Sequence, residues 1–265
     1  LPFYIVLPFY IVLPFYIVPP FFIVQGSAVS DFSGIKALTF DVFGTTVDWC
    51  GGIARESSAM LGSRGYRLDW VAFANRWRRD VLPAMDDVRS GRRGYVTMDQ
   101  LHREILDGVV AAFGADLSNA EKDQLALSWR RLDPWPDVLP GMTRLKKHFI
   151  VAALSNGNTA LVVEMAKRSG LPWDVILGAD FVRTYKPMLV LYDSAPMLLD
   201  VKPSETMMVA CHMWDLDAAG KQGLRTAYVR RPDEYGVGAP IQTPAKGTYD
   251  LQLESFEDLA DVLGS

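Results

Sequence analysis

The sequence from Ser33 onward predicts an α/β fold, a doubly wound, Rossmann-like parallel sheet with a helical domain inserted behind its first strand. Short apolar runs alternate with segments of helical periodicity, which is the pattern of parallel strands joined by crossover helices. One long interruption, residues 49–135, carries helical patterns and no convincing strand. Because this segment directly follows the first strand, we expect it to form a cap that covers the carboxyl edge of the sheet and excludes water.

The first predicted strand is Ile35 to Phe40, an apolar run that stops at Asp41 and a glycine-threonine turn. Four helices are predicted next, because apolar residues recur at helical spacing and glycine, serine or proline separates the segments. These helices are Ile53 to Leu61, Trp70 to Leu82, Met98 to Phe113 and Asn119 to Leu132. The later apolar runs predict the remaining strands, Ile150 to Leu154, Val175 to Leu177, Thr206 to Cys211, Thr226 to Val229 and Leu251 to Leu253.

Composition narrows the class of protein. The chain has 265 residues, of which 49% are hydrophobic and 22% charged, and this is enough to bury a large core. The formal net charge of -4 does not favour binding to nucleic acid or to an anionic membrane, which both attract positively charged surfaces. Cys50 and Cys211 are the only cysteines, so we expect no disulfide framework and a reducing, cytoplasmic compartment.

Residues 1–24 are four near-copies of one hexapeptide, LPFYIV three times and then PPFFIV. The recurring proline removes helix hydrogen bonds, which argues against a membrane-spanning helix. The basic start and the small-residue cleavage site of a signal peptide do not occur in this segment. We interpret residues 1–26 as a tag-like or non-native hydrophobic repeat and exclude them from the predicted fold, since Gln25 and Gly26 resemble the remainder of a cleavable tag linker.

Polar residues follow four of the predicted strands. Asp41 follows the first strand, Ser155 the second, Lys186 lies in the loop after the third, and Asp215 follows the fourth. A carboxylate at the end of a buried strand costs free energy unless hydrogen bonds compensate it. Because the carboxyl ends of parallel strands share one edge of the sheet, we expect these residues to converge into one charge-balanced site.

Four sequence blocks occur in a fixed order: FDVFGTTVDW at 40–49, LSNGN at 154–158, YKP at 185–187 with Tyr192 beyond it, and HMWDLDAAGKQG at 212–223. Together they resemble the haloacid dehalogenase (HAD) superfamily, and within it the type II 2-haloacid dehalogenases, over residues 33–264. The resemblance implies a HAD-like α/β core of residues 33–48 and 136–265, and a helical cap of residues 49–135.

The resemblance also implies an activity, the hydrolytic dehalogenation of short 2-haloalkanoic acids such as haloacetate and L-2-halopropionate to 2-hydroxy acids. Asp41 would attack the carbon that bears the halogen and form an aspartyl ester, which water then hydrolyses. Lys186 would keep Asp41 ionised. Asp215 is the first candidate for activating the water, and His212 is the next. The implied partners are the haloacid and water, with no cofactor, no metal, no nucleic acid and no membrane, and a homodimer is expected.

The resemblance implies further contacts around the nucleophile. Thr45 and Ser155 would orient the carboxylates through hydroxyl and backbone donors. In the family, an arginine of the cap and an asparagine of the second block meet the halide, and the matching residues are Arg78 and Asn156. The remaining substrate contacts and the apolar wall are expected at Val42, Phe43, Leu82, Tyr192 and Trp214.

Two positions indicate the leaving group. Phosphatases of this superfamily carry a second aspartate where this chain has Phe43, and a magnesium-binding acidic residue where it has Cys211. An alkoxide needs general acid help to leave, whereas a halide leaves without a proton, so Phe43 favours halide. A Mg-dependent HAD-type phosphatase and a non-catalytic HAD-like module remain alternatives. Phe43 and Cys211 disfavour the first, and the intact set of Asp41, Lys186 and Asp215 disfavours the second.

The last block departs from the best-known dehalogenase pattern, because His212 stands where an asparagine is expected three residues before Asp215. A histidine could donate a similar hydrogen bond or act as the base for the water step, and it leaves defluorination open. Asp217 adds a third carboxylate to the block. Since it lies two residues beyond Asp215 at a predicted helix start, we expect it to cap the helix or face solvent.

Overall fold

The computed structural model of the chain describes residues 31–265, and the hydrophobic repeat of residues 1–26 lies outside the described residues. Within residues 31–265, six strands form one parallel sheet: β1 Ala37–Phe40, β2 Ile150–Ser155, β3 Val175–Gly178, β4 Thr206–Ala210, β5 Arg225–Val229 and β6 Leu251–Leu253. Their order across the sheet is β3-β2-β1-β4-β5-β6. The predicted strands are confirmed, with small differences at their ends.

The predicted helical insertion after β1 is also confirmed. It contains α1 Trp49–Ser63, α2 Trp70–Arg89, α3 Met98–Ala112 and α4 Asn119–Ala126, and a 3₁₀ turn over Leu127–Arg130. The helices of the core are α5 Val138–Leu145, α6 Thr159–Ser169, α7 Leu189–Leu198, α8 Met213–Lys221 and α9 Phe256–Val262, with a second 3₁₀ turn at Pro203–Glu205. The bounds of the cap at residues 49 and 135 stay a prediction. No helix in the described part of the chain is long and apolar enough to cross a membrane.

The carboxyl ends of two cap helices differ from the predicted ends by several residues, and those of the other two by one or two residues. Helix α2 continues past Leu82 and through Pro83 to Arg89, although a proline removes one helix hydrogen bond. Buried Met85 and Val88 lie on the continuing helix, and their apolar contacts compensate for that loss. The predicted helix from Asn119 to Leu132 becomes a 3₁₀ turn after Ala126, because the buried Ser128 hydroxyl donates to the carbonyl of Leu125, 2.6 Å away, and competes with the α-helical pattern.

The sheet topology places the end of β1 at a switch point. Strand β1 pairs with β2 on one side and with β4 on the other, and the chain moves from one half of the sheet to the other between β3 and β4. Both β1 and β4 are buried along their whole length. The Asp41 N–H donates to the Val209 carbonyl at 3.0 Å, so the ladder extends to the first residue beyond β1. Ligands of open α/β sheets bind outside the carboxyl ends at such a point.

Candidate active site

Asp41 lies directly after β1, at the switch point of the sheet, and both oxygens of its carboxylate have hydrogen-bonding partners. Its Oδ1 accepts from Lys186 Nζ at 3.1 Å, its Oδ2 accepts from the Thr45 hydroxyl at 2.9 Å, and His212 Nδ1 lies 3.1 Å from the same Oδ2. Burial alone would raise the pKa of Asp41, but Lys186 and His212 outweigh it and hold the pKa well below its usual range. Asp41 is therefore an oriented carboxylate that stays ionised.

The turn after Asp41 is fixed by one hydrogen bond within the turn and by two from distant parts of the chain. The Thr46 hydroxyl donates to the Asp41 carbonyl at 2.7 Å. Trp135 Nε1 donates to the Gly44 carbonyl at 2.8 Å, and Arg231 Nε donates to the Thr45 carbonyl at 2.8 Å. Gly44 has a φ of 92°, and a Cβ at this position would overlap the side chain of Glu234. Glycine is required here for both reasons.

Lys186 joins the two carboxylates predicted at this edge. It is fully buried, and besides Asp41 its Nζ donates to Asp215 Oδ2 at 2.7 Å. The Tyr192 hydroxyl donates to Asp215 Oδ1 at 2.6 Å. Burial would lower the pKa of Lys186, but Asp215 and Asp41 raise it, so the ammonium persists. Burial raises the pKa of Asp215, and Lys186 offsets this only in part.

The second block supports Lys186 from the neighbouring strand. Asn156 Oδ1 accepts from the Lys186 backbone N–H at 2.7 Å, which leaves the two amide N–H groups of Asn156 for the adjacent cavity. Ser155 is buried, and its hydroxyl oxygen accepts from the Gly157 N–H at 2.9 Å. Ser155 therefore shapes the turn that carries Asn156.

The structure adds Glu234, which the sequence analysis did not identify. Glu234 Oε1 lies 2.9 Å from His212 Nε2 and accepts from Trp49 Nε1 at 3.1 Å, and Cys211 Sγ lies 3.6 Å from its Oε2. The side chain is buried in an irregular segment after β5 and belongs to no recognised block. The one sequence signal for Glu234 is that it is a carboxylate in the loop that follows the carboxyl end of β5.

His212 thus lies between two carboxylates, Asp41 and Glu234. Burial alone would lower the pKa of His212, but the surrounding groups raise it well above the usual 6.5. Burial also raises the pKa of the Cys211 thiol and keeps it neutral, so the carboxylates are the groups that favour the imidazolium. Burial would raise the pKa of Glu234, but His212 lowers it to below its usual value. His212 and Glu234 therefore form a hydrogen-bonded ion pair that is only slightly exposed to solvent.

A cavity of about 530 Å³ opens beside these residues. Lys186 and His212, which hold the Asp41 carboxylate, both line it, as do Asn156, Leu82 and Trp214. Trp214 is 44% exposed and stacks on the His212 ring with 5.6 Å between the ring centroids. The cavity wall therefore combines an apolar rim with cationic and amide donors at its base.

Arg78 lines the same cavity. Its guanidinium lies over the rings of Phe43 and Trp49, 5.5 and 5.8 Å from the centroids. The buried Nη1 atom has no hydrogen-bond partner among the described residues. A guanidinium with an unused donor beside an apolar wall is suited to bind an anion.

Arg89 is a second residue that the sequence analysis did not identify. It lines the cavity, and its Nη1 donates to the Lys186 carbonyl at 2.6 Å. Arg89 lies on the part of α2 beyond Leu82, where the predicted helix ended, so the predicted helices did not place it near the site.

Three of the expected substrate contacts do not line the cavity. Val42 is fully buried, and its carbonyl accepts the N–H groups of two residues in the turn. Phe43 packs under Arg78, and Tyr192 contacts Asp215. Asp217 is exposed, and it accepts from the Tyr249 hydroxyl at 2.9 Å, away from the cluster.

Two groups of side chains among the described residues have donor atoms within 4.8 Å of one another, close enough to share a metal ion. One consists of Asp41, His212 and Asp215, and the other of Cys211, His212 and Glu234. In the first group the Lys186 ammonium already bridges the two aspartates. The charge of that group is thus balanced by a side chain of the protein.

Comparison with known proteins identifies the family. Residues 35–223 match the family model of haloacid dehalogenase-like hydrolases. The (S)-2-haloacid dehalogenase 4A of Burkholderia cepacia is 30% identical over 82% of this chain and 93% of its own length. Among solved structures, the defluorinating L-2-haloacid dehalogenase Rha0230 is 43% identical, covers 87% of this chain and 96% of its own, and has a TM-score of 0.84. The L-2-haloacid dehalogenase PA0810 is also 43% identical, with 87% and 99% coverage and a TM-score of 0.83. The chain belongs to the haloacid dehalogenase-like hydrolases.

Proposed function

We propose that this enzyme hydrolyses the carbon–halogen bond of short 2-haloalkanoic acids, haloacetate and L-2-halopropionate, and releases halide and a 2-hydroxy acid. The observation that carries the proposal is the ionised Asp41 carboxylate beside a cavity whose unused donor belongs to Arg78. Phe43 occupies the place at which a phosphatase needs a general acid, and it lies under that guanidinium. The relatives named above are 2-haloacid dehalogenases, which agrees with this chemistry.

In the first step, an oxygen of Asp41 attacks the halogen-bearing carbon. The new carbon–oxygen bond forms an ester, the carbon–halogen bond breaks, and the electron pair leaves with the halide. Arg78 and Asn156 stabilise the halide through N–H donors, which act strongly beside the apolar wall. Lys186 keeps Asp41 ionised before attack, and it faces Asp215 alone once the ester has formed.

In the second step, water attacks the carbonyl carbon of the Asp41 ester. The bond from this carbon to the ester oxygen breaks, the hydroxy acid leaves with that oxygen and takes up a proton, and the Asp41 carboxylate is restored. The ester carries no charge, so His212 loses one of the two carboxylates that favour its imidazolium and releases its Nδ1 proton to the solvent. Nδ1 can then take a proton from the attacking water and pass it to the departing hydroxy-acid oxygen. Glu234 holds the Nε2 proton and stabilises the charge that His212 acquires. Asp215 is less suited to this role, because Lys186 and Tyr192 occupy its two oxygens.

Halide release from chloro-, bromo- and fluoroacetate, measured in EDTA, tests the reaction class. A chromogenic phosphate ester with magnesium is the competing assay. Turnover of the phosphate ester alone, and only with metal, would contradict the proposal and favour the phosphatase alternative. No turnover in either assay would favour the non-catalytic module.

The covalent step has its own test. Asp41→Asn is expected to abolish halide release, since it removes the nucleophile. Asp217→Asn is the matched control, because that aspartate is exposed and lies outside the cluster, and it should retain activity. In a single turnover in ¹⁸O-labelled water, the ester route leaves the product unlabelled and puts the label into Asp41. Labelled product from the first turnover would show direct attack by water instead.

We include fluoroacetate among the proposed substrates. One relative, 43% identical, is a defluorinating enzyme. Fluoride is a poor leaving group that gains most from strong donors, and here Arg78 and the His212 side chain both line the cavity.

A cytoplasmic location and a homodimer remain predictions, and both cysteines are free thiols.

A further inference from the structure

A second cavity, of about 320 Å³, shares lining residues with the proposed substrate cavity of about 530 Å³. His212, Trp214 and Tyr235 line both cavities, whereas Cys211 and Glu234 line only the second. The proposed mechanism gives this second cavity no role. Its inner wall brings together a thiol, an imidazole and a carboxylate.

We propose that Cys211, His212 and Glu234 form a binding site for a thiophilic divalent cation, for which Zn²⁺ is the best match, and that the bound metal stops hydrolysis. The inhibitory part rests on the proposed function, whereas metal binding itself does not. The donor atoms of the three side chains lie within 4.8 Å of one another. Tetrahedral Zn²⁺ with bonds of about 2.0 to 2.3 Å places its ligands roughly 3.3 to 3.8 Å apart, so small side-chain shifts complete the site.

The donor set selects the kind of metal. Sulfur, nitrogen and one carboxylate oxygen suit Zn²⁺ and Co²⁺, whereas Mg²⁺ and Ca²⁺ prefer oxygen ligands alone. When the metal binds, the Cys211 thiol and the Nε2 of the His212 imidazolium each give up one proton to the solvent. A water molecule from the second cavity can fill the fourth position.

The groups around the ligands also fit a metal site. Metal-bound histidines donate their other ring N–H to a carboxylate, and His212 Nδ1 lies 3.1 Å from Asp41 Oδ2. Trp49 Nε1 donates to Glu234 at 3.1 Å, which fixes the carboxylate ligand. Orienting contacts therefore exist for two of the three ligands.

Metal at this site would disable the second step of the reaction. It would occupy His212 Nε2, separate this nitrogen from Glu234, and keep the Nδ1 proton directed at Asp41. A metal-bound imidazole in this state cannot take a proton from water at Nδ1. We expect Zn²⁺ to inhibit halide release and Mg²⁺ to have no effect.

Binding is tested with Co²⁺ alone, through the absorption band that a thiolate–cobalt bond produces. The wild-type chain and Cys50→Ser should both show the band, and Cys211→Ser should not. Cys50 is the matched control, because it is the other free cysteine and is not among the three ligands. A wild-type chain without the band overturns the proposal, whatever the variants do.

Inhibition is tested by halide release against Zn²⁺ concentration. Cys211→Ser should raise the inhibitory Zn²⁺ concentration by at least about tenfold, and Cys50→Ser should leave it unchanged. Equal inhibition of both variants would overturn the assignment to Cys211. If the cobalt band appears in a chain that releases no halide, the metal site stands and the dehalogenase function fails, so the two proposals are separable.

Discussion

Glu234→Gln should separate the two steps of the proposed reaction. Glutamine keeps the size of the side chain and an oxygen acceptor for Trp49, but it removes the negative charge 2.9 Å from His212 Nε2. In the proposed mechanism that charge is needed when His212 takes a proton from water, and not when Asp41 attacks the haloacid. The variant should therefore form the ester and fail to hydrolyse it.

The magnitude follows from the geometry. At an effective dielectric constant of about 20, two unit charges about 4 Å apart interact by about 4 kcal/mol. This corresponds to about a thousandfold in rate, within the range of about 10² to 10⁴ for general base catalysis. We expect ester hydrolysis to slow by up to about 10³, while the first halide is released in a burst of one equivalent.

The assay is intact-protein mass spectrometry after mixing with L-2-chloropropionate, with halide measured in the same samples. The ester should accumulate on Glu234→Gln and remain undetected on Asp233→Asn, the same loss of charge one residue earlier in the loop. Hydrolysis at the wild-type rate would refute the role of Glu234 as partner of the base. Loss of halide release without an ester would show that Glu234 acts before or during alkylation.

Three further predictions concern the stability and charge of the site. Lys186→Met leaves two buried aspartates without their cation and should lower the free energy of unfolding by about 3 to 5 kcal/mol in urea, whereas the exposed Lys167→Met should change it little. Gly44→Ala should cost about 1 to 3 kcal/mol in the same measurement, because of its φ of 92° and the overlap with Glu234; an unchanged midpoint would contradict this. The raised pKa of His212 predicts a contribution to stability that is fully present below its ordinary pKa of 6.5 and lost as the pH rises through the higher folded value. The stability difference between wild type and His212→Gln should accordingly shrink with rising pH, and a difference that grows would reverse the assignment.

Local sequence determines most of the fold. The strand before Asp41 and the strands of the later blocks are apolar runs of strand length bounded by turn residues, and the sheet contains all of them. The convergence of Asp41, Lys186 and Asp215 follows from the same pattern, since parallel strands bring their carboxyl ends to one edge. Comparison of Phe43 with the acid that superfamily phosphatases carry at this position predicts a halide leaving group. These conclusions require no knowledge of side-chain packing.

The tertiary structure alone decided which residues surround Asp41. Glu234 lies in a loop without periodicity, and the loop is fixed against the Asp41 turn by Arg231, which pairs with Asp137 at 2.8 Å and donates to the Thr45 carbonyl. Arg89 reaches the cavity only because burial of neighbouring apolar residues extends α2 beyond Pro83. Such contacts depend on long-range packing, and their free energy is not encoded in any short segment. The sequence by itself determined the sheet and the place of Asp41 at its carboxyl edge, and the packed structure decided the partner of His212, because only folding brings a loop residue to a histidine 22 positions away.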